Sequence, residues 1–130
     1  MANPDTPFGL RPVRMVDGSP YSASVREFAT ITGDSTEIMI GDPVELLGSS
    51  QTIDGVVYSD VGRAETGDKI AGVCVGVRPD TQASPIYRAG STATIIYVET
   101  GKDVLFEIQE ASGGTALTAN DIGLNANFVV

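Results

Sequence analysis

Short runs of β-branched and aromatic residues, separated by glycine-containing turns, constrain the fold of this chain more than any other feature. The clearest runs are IAGVCVGV at 70–77, STATIIYVET at 91–100 and DVLFEIQE at 103–110. No segment keeps an apolar period of 3.6 residues, and the best helical candidate, 115–123, is long enough for one or two turns only. The pattern predicts an all-β domain, either a small antiparallel β-barrel or a β-sandwich.

The link between two of these runs predicts a β-hairpin. Thr100, Gly101 and Lys102 form a short glycine-containing connection between 91–100 and 103–110. The second run alternates, so Val104, Phe106 and Ile108 are expected on one face. Further strands are expected at 22–31, 36–40, 43–47 and 55–61, with a turn at 32–35 and a bend or bulge at 41–43.

The run 70–77 contains the only cysteine of the chain, Cys74. Strict alternation puts Val73, Val75 and Val77 on one face of this strand, and Cys74 and Gly76 on the other. Its neighbours are apolar, whereas a reactive thiol needs a cationic and partly exposed setting. We therefore expect Cys74 to be a buried or half-buried structural residue, next to which another backbone approaches closely.

The first twenty residues differ in character from the rest, and we divide the chain into an extended N-terminal arm at 1–20 and a β-rich core domain at 21–130. Four prolines disfavour regular structure in the arm. Its apolar residues are unusual for an idle tail: Phe8, Leu10, Val13 and Met15. Such an arm either lies on a partner, which we favour, or folds back on its own core.

The C-terminal sequence GLNANFVV, 123–130, keeps the character of a strand up to Val130. Two interpretations are open. The segment is tucked against a partner strand, or the core domain lacks a C-terminal part.

Charge and hydropathy exclude several classes of partner. The chain has 17 acidic and 8 basic residues, a net charge of −9, and its few cations are scattered. Nucleic-acid binding needs clustered Lys and Arg, so no nucleic-acid partner is expected. No apolar stretch approaches the roughly 20 residues of a membrane span, and the N-terminus is no signal peptide. We expect no membrane partner and synthesis in the cytoplasm.

Catalytic chemistry has few candidate groups. The chain has no histidine, which excludes Ser-His-Asp and Cys-His catalysis and imidazole metal ligands. The acidic residues fit neither a calcium loop nor a glycosidase pair, and a solvated surface position is expected for all five that we considered: Asp60, Glu65, Asp68, Glu107 and Glu110. We therefore expect no enzyme, no cofactor and no metal.

Several stretches taken in order resemble a known family. They are PFGLRPVR at 7–14, GSPY at 18–21, GDPVEL at 41–46, GVCVGVRPD at 72–80, YRAGSTATIIYV at 87–98 and FEIQE at 106–110. Together they resemble the capsid cement or head-decoration proteins of tailed bacteriophages. The resemblance implies a virion structural protein on the outer surface of an icosahedral head, assembled in the host cytoplasm, where it bridges neighbouring major capsid protein subunits and stabilises the capsid.

Within this hypothesis, the arm supplies the capsid-binding residues. Phe8 and Leu10 are the expected apolar anchors, and Arg11 and Arg14 are expected to pair with carboxylates of the major capsid protein. By analogy the protein also binds itself, with a trimer favoured over a dimer. The alternative function is another component of the phage virion, in the tail or neck, or a carbohydrate-binding projection of the head.

Overall fold

A computed structural model describes residues 8–110 and 115–128 of the chain. These residues form seven strands and one 3₁₀ turn, Ala119–Asp121. The strands are β1 (Arg11–Met15), β2 (Val25–Ala29), β3 (Pro43–Ile53), β4 (Val56–Arg63), β5 (Gly72–Val77), β6 (Ile95–Glu99) and β7 (Val104–Glu107). The short turn at 119–121 agrees with the sequence, which predicted no long helix.

Five of the strands close into a barrel in the order β2-β4-β3-β5-β6, with β6 returning to β2. Four of its five contacts are antiparallel. The fifth joins β2 to β4 in parallel through one residue pair, Ala29 and Asp60. The predicted all-β class is therefore confirmed, and of the two predicted architectures, barrel and sandwich, the structure has the barrel. The two remaining strands, β1 and β7, pair with each other as a separate two-stranded sheet.

The barrel encloses a core of aliphatic side chains and one thiol. Its fully buried members are Ile38, Val44, Val61, Cys74, Ile96 and Val98. The expected burial of Cys74 is confirmed, but the expected alternation of β5 is wrong. The pairing of β5 with β6 shifts between Cys74 and Gly76, so Val75 is an extra, bulged residue. The bulge lets Val77 pack against the same core as Cys74.

The predicted hairpin between β6 and β7 is also wrong. In the barrel, β6 already pairs with β2 on one side and β5 on the other, so neither of its edges is free for β7. After Glu99 the chain leaves the barrel, and β7 pairs with β1 instead. The link at 100–102 thus connects two sheets.

The longest hairpin joins β3 to β4, where the sequence analysis assigned two shorter strands. Asp54 and Gly55 both have positive φ, +50° and +80°, which is the geometry of a two-residue type I′ turn. Between Leu46 and Ser50 the register shifts by a bulge. As predicted, a bend precedes this hairpin, because β3 begins at Pro43 directly after a turn in which Asp42 N–H bonds Met39 O.

One buried arginine connects the loops at one end of the barrel through hydrogen bonds. Arg88 has no exposed surface, and its guanidinium donates to the carbonyl oxygens of Thr92, Thr36, Ile31 and Asp34. Such saturation is what makes a buried cation tolerable. Burial lowers the pKa of Arg88, and the nearby Asp34 carboxylate acts in the opposite direction.

Candidate partner-binding surface

The sheet of β1 and β7 lies outside the barrel and has two distinct faces. Pro12, Met15, Val104 and Phe106 occupy buried or half-buried positions on the face toward the barrel. The opposite face, which we call the outer ribbon face, carries the exposed side chains Arg11, Val13, Arg14, Leu105 and Glu107. A rigid scaffold therefore presents both of the arginines that the sequence suggested for partner binding.

Phe8 and Arg11 form a small cluster at one end of this face. The Arg11 guanidinium forms an ion pair with the Glu107 carboxylate opposite, and its central carbon lies 4.7 Å from the centroid of the Phe8 ring. Phe8 remains 42% exposed. Exposed ion pairs and cation–π contacts contribute about 1 kcal/mol or less each. The cluster is therefore free to exchange these contacts for those of a partner.

Leu10 is placed differently from the other three candidates. It is half-buried, and its N–H donates to the Gly41 carbonyl at 2.8 Å. It lines a small cleft with Gly41, Arg63, Ile108 and Phe128 among others. Leu10 thus holds the start of β1 against the end of the barrel.

Arg14 is the second arginine of the outer ribbon face. Within the part of the chain that the structure describes, no carboxylate forms an ion pair with its guanidinium. It lies opposite Leu105 in the β1–β7 register, next to a bulge at Val13. Val13 is 44% exposed and Leu105 is 36% exposed. An exposed guanidinium flanked by two apolar side chains fits a partner that offers a carboxylate within an apolar surface.

The described part of the arm, residues 8–20, lies on the chain's own β7. Besides the β1–β7 pairs, Val16 N–H bonds the Asp103 carbonyl at 2.7 Å. This arrangement corresponds to the alternative in which the arm folds back, although its outer face stays exposed. Residues 1–7 of the predicted arm lie outside the described residues.

A buried carboxylate, which the sequence analysis missed, fixes the segment that follows the arm. Glu99 is 1% exposed, and it accepts hydrogen bonds from Tyr21 Oη–H, from Ser24 N–H at 3.0 Å and from Gly101 N–H at 2.9 Å. Burial and, secondarily, the Glu99 carboxylate raise the pKa of Tyr21 to about 12. The sequence signal for this buried carboxylate was an acidic residue at the end of the apolar run IIYVE, 95–99.

The other candidate carboxylates have structural contacts. Asp60 was expected at the surface, but it is 3% exposed and accepts hydrogen bonds from Ser49 at 2.7 Å and Gln51 at 2.6 Å. Its position where β2 meets β4 explains the burial. Asp68 bonds the backbone of Glu65, and Glu110 that of Leu117. Among the described residues, no three His, Cys, Asp or Glu side chains group as metal ligands would.

The part of the chain that the structure describes has no helix with the length and apolar character of a membrane span. No protein-family model, curated protein or solved structure matches this chain.

Proposed function

We propose that this protein is a bacteriophage cement or decoration protein, which binds the outer surface of an icosahedral head and bridges neighbouring major capsid protein subunits. The sequence stretches given above support the class. The observation that carries the mechanism is the outer ribbon face, where Arg11 and Arg14 are exposed on the β1–β7 sheet and Phe8 lies against Arg11 at one end.

In the proposed mechanism, this face forms the contact with the capsid. Phe8 provides apolar area, Arg14 pairs with a capsid carboxylate, and Arg11 exchanges its Glu107 partner for a capsid group. A stable interface buries on the order of 1,600 Å² in total. Binding two capsid subunits at once adds contacts that must break before those subunits can separate, and self-association of the protein multiplies this effect.

Point variants test the face without removing β1. We expect Arg14→Glu to lower occupancy on heads that lack the protein at least tenfold, because it places a negative charge opposite the proposed carboxylate. Phe8→Ser is expected to lower it less. Occupancy is measured by quantitative gel analysis of sedimented heads over a range of protein concentrations.

Arg26→Glu is the matched control, since Arg26 is also exposed on a strand but lies on β2 of the barrel. Undiminished occupancy for Arg14→Glu and Phe8→Ser would refute the role of the outer ribbon face in capsid binding.

Labelling of intact virions tests the proposed functional class itself. Copies spread over the whole head are expected for a cement protein, whereas a few copies at one vertex would indicate a tail or neck component.

A further inference from the structure

The distal half of the β3–β4 hairpin, residues 50–59, pairs with no other strand in the described residues. We call it the distal hairpin. β3 pairs with β5 only through Pro43 and Val44, and β4 pairs with β2 only through Asp60. Both long edges of the distal hairpin therefore carry backbone N–H and C=O groups without a strand partner in the barrel.

The register identifies which backbone groups point outward. In a two-residue hairpin the residues that flank the turn, Ile53 and Val56, form a hydrogen-bonded pair, and the pairs alternate from there. Thr52 and Val57 are thus a non-hydrogen-bonded pair, as are Ser50 and Ser59. Their N–H and C=O groups face away from the hairpin, available to another strand.

The side chains of the distal hairpin also point to two sides, one toward the barrel and one toward solvent. Gln51 faces the barrel, where its amide nitrogen donates to Asp60 at 2.6 Å and to the Thr30 carbonyl at 3.1 Å. All four residues with outward backbone groups are exposed, and Val57 is 67% exposed. The Gln51 contacts and the tight turn hold the distal hairpin in one conformation, so little conformational entropy is lost when it binds.

Charge indicates what the distal hairpin binds. Soluble proteins protect free edges with Lys, Pro or inward-facing charges, yet residues 46–59 contain one charged side chain, Asp54 at the turn. A strongly charged partner gains no ion pairs along such an edge. In a chain of net charge −9, two copies repel each other overall, and the repulsion is weak where segments without charged side chains meet, as along the edges of the distal hairpin.

We propose that the distal hairpin pairs edge to edge, in antiparallel orientation, with the distal hairpin of a second copy of this chain. Antiparallel pairing places the two Asp54 carboxylates at opposite ends of the contact, so they do not repel each other. The contact joins β4 of one copy to β4 of the other. The bonds formed are main-chain hydrogen bonds from the outward groups of Val57, and its exposed side chain is covered.

Sedimentation equilibrium of the purified chain tests this proposal, independently of any capsid. The wild type is expected to associate reversibly. Val57→Lys is expected to weaken association at least tenfold, because it brings like charges together at the edge. Ser59→Lys, at the other exposed β4 residue with outward backbone groups, does the same and serves as a second variant should Val57→Lys fail to fold, which far-UV circular dichroism detects. Ile86→Lys, at a position 81% exposed between β5 and β6, is the control and is expected to associate like the wild type.

Three results would overturn the proposal. They are a wild-type chain that remains monomeric at all concentrations, hairpin variants that associate as tightly as the wild type, and a control that loses association equally. Amide hydrogen exchange adds a direct measure, since protection of the Val57 amide is expected to rise with protein concentration. Binding to heads is not part of this test, so loss of the proposed capsid function would leave its result unchanged.

Discussion

Glu99 links three parts of the chain through one carboxylate: the segment after the arm, the end of β6 and the link to β7. Its oxygens accept hydrogen bonds from Tyr21, Ser24 and Gly101, and the side chain is buried. Hydrogen bonds to a buried charged group contribute about 1.5–3 kcal/mol each to stability, and donors left unsatisfied cost a similar amount. This residue therefore determines how firmly the outer ribbon face is held to the barrel.

Glu99→Gln is expected to lower the free energy of unfolding by about 2–4 kcal/mol. The amide nitrogen of glutamine cannot accept hydrogen bonds from the O–H and N–H groups of Tyr21, Ser24 and Gly101 that face this side chain. Urea unfolding followed by circular dichroism measures the change. Glu37→Gln makes the same exchange at an exposed position, and it is expected to change stability much less. Equal stability of Glu99→Gln and the wild type would contradict this account.

Tyr21 provides a second measurement of the same contact. Its pKa is raised to about 12, whereas an unfolded tyrosine titrates near 10. The folded protein keeps this proton when the unfolded chain has lost it, so the stability from Tyr21 is present below pH 10 and is lost as pH rises from about 10 to 12. The difference in ultraviolet phenolate absorbance between wild type and Tyr21→Phe is expected to appear near pH 12. A Tyr21 that titrates near 10 in the folded protein would refute the contact.

At the scale of elements, close contact between β5 and β6 depends on a missing side chain. A Cβ added to Gly72 would lie 2.5 Å from the Glu99 carbonyl oxygen and 2.5 Å from a methyl carbon of Val98. Neither neighbour is at the flexible end of a long side chain, so the strands must separate to admit it. The close backbone approach expected next to Cys74 is thus found two residues earlier in β5.

Gly72→Ala is accordingly expected to destabilise the protein by about 1–3 kcal/mol, as overpacking does elsewhere. The matched control is Gly33→Ala, because a Cβ at Gly33 meets nothing within 4 Å and the backbone there is not left-handed. Thermal unfolding of both variants measures the difference. The explanation fails if the two substitutions have the same effect.

The strands and their connections also show which features of the fold could be predicted from sequence patterns. Alternation and β-branched residues predicted an all-β domain, because each strand needs one apolar face, but they did not distinguish a barrel from a sandwich. They did not predict that β7 leaves β6, since a three-residue link has hairpin length whether or not the edge of β6 is free. The bulge at Val75 was equally hidden, because one extra residue is visible only against its partner strand. Asp54-Gly55, in contrast, was a readable hairpin signal.

The candidate site was predictable only in part, for a related reason. Phe8, Arg11 and Arg14 stand out in the sequence as apolar and cationic residues of a proline-rich segment, and all three are exposed. The ion pair of Arg11 joins residues 96 positions apart. No local pattern could therefore distinguish the neutralised Arg11 from Arg14.

For the whole molecule, the net charge of −9 implies self-repulsion in the folded state. Raising the ionic strength from 0.01 M to 0.15 M shortens the Debye length from about 30 Å to about 8 Å. We expect the urea midpoint of unfolding to rise with sodium chloride over this range. A falling midpoint would mean that ion pairs such as Arg11–Glu107 outweigh the repulsion.

The barrel closes at one point through a single pair, Ala29 and Asp60, whereas the contact of β2 with β6 on the other side has five pairs. Under a pulling force or on heating, the wall is therefore expected to open first along this seam. What separates there is the β3–β4 hairpin as one unit, still paired internally. If the protein binds a capsid through the outer ribbon face as proposed, opening of this seam would lengthen the molecule while that face stays bound.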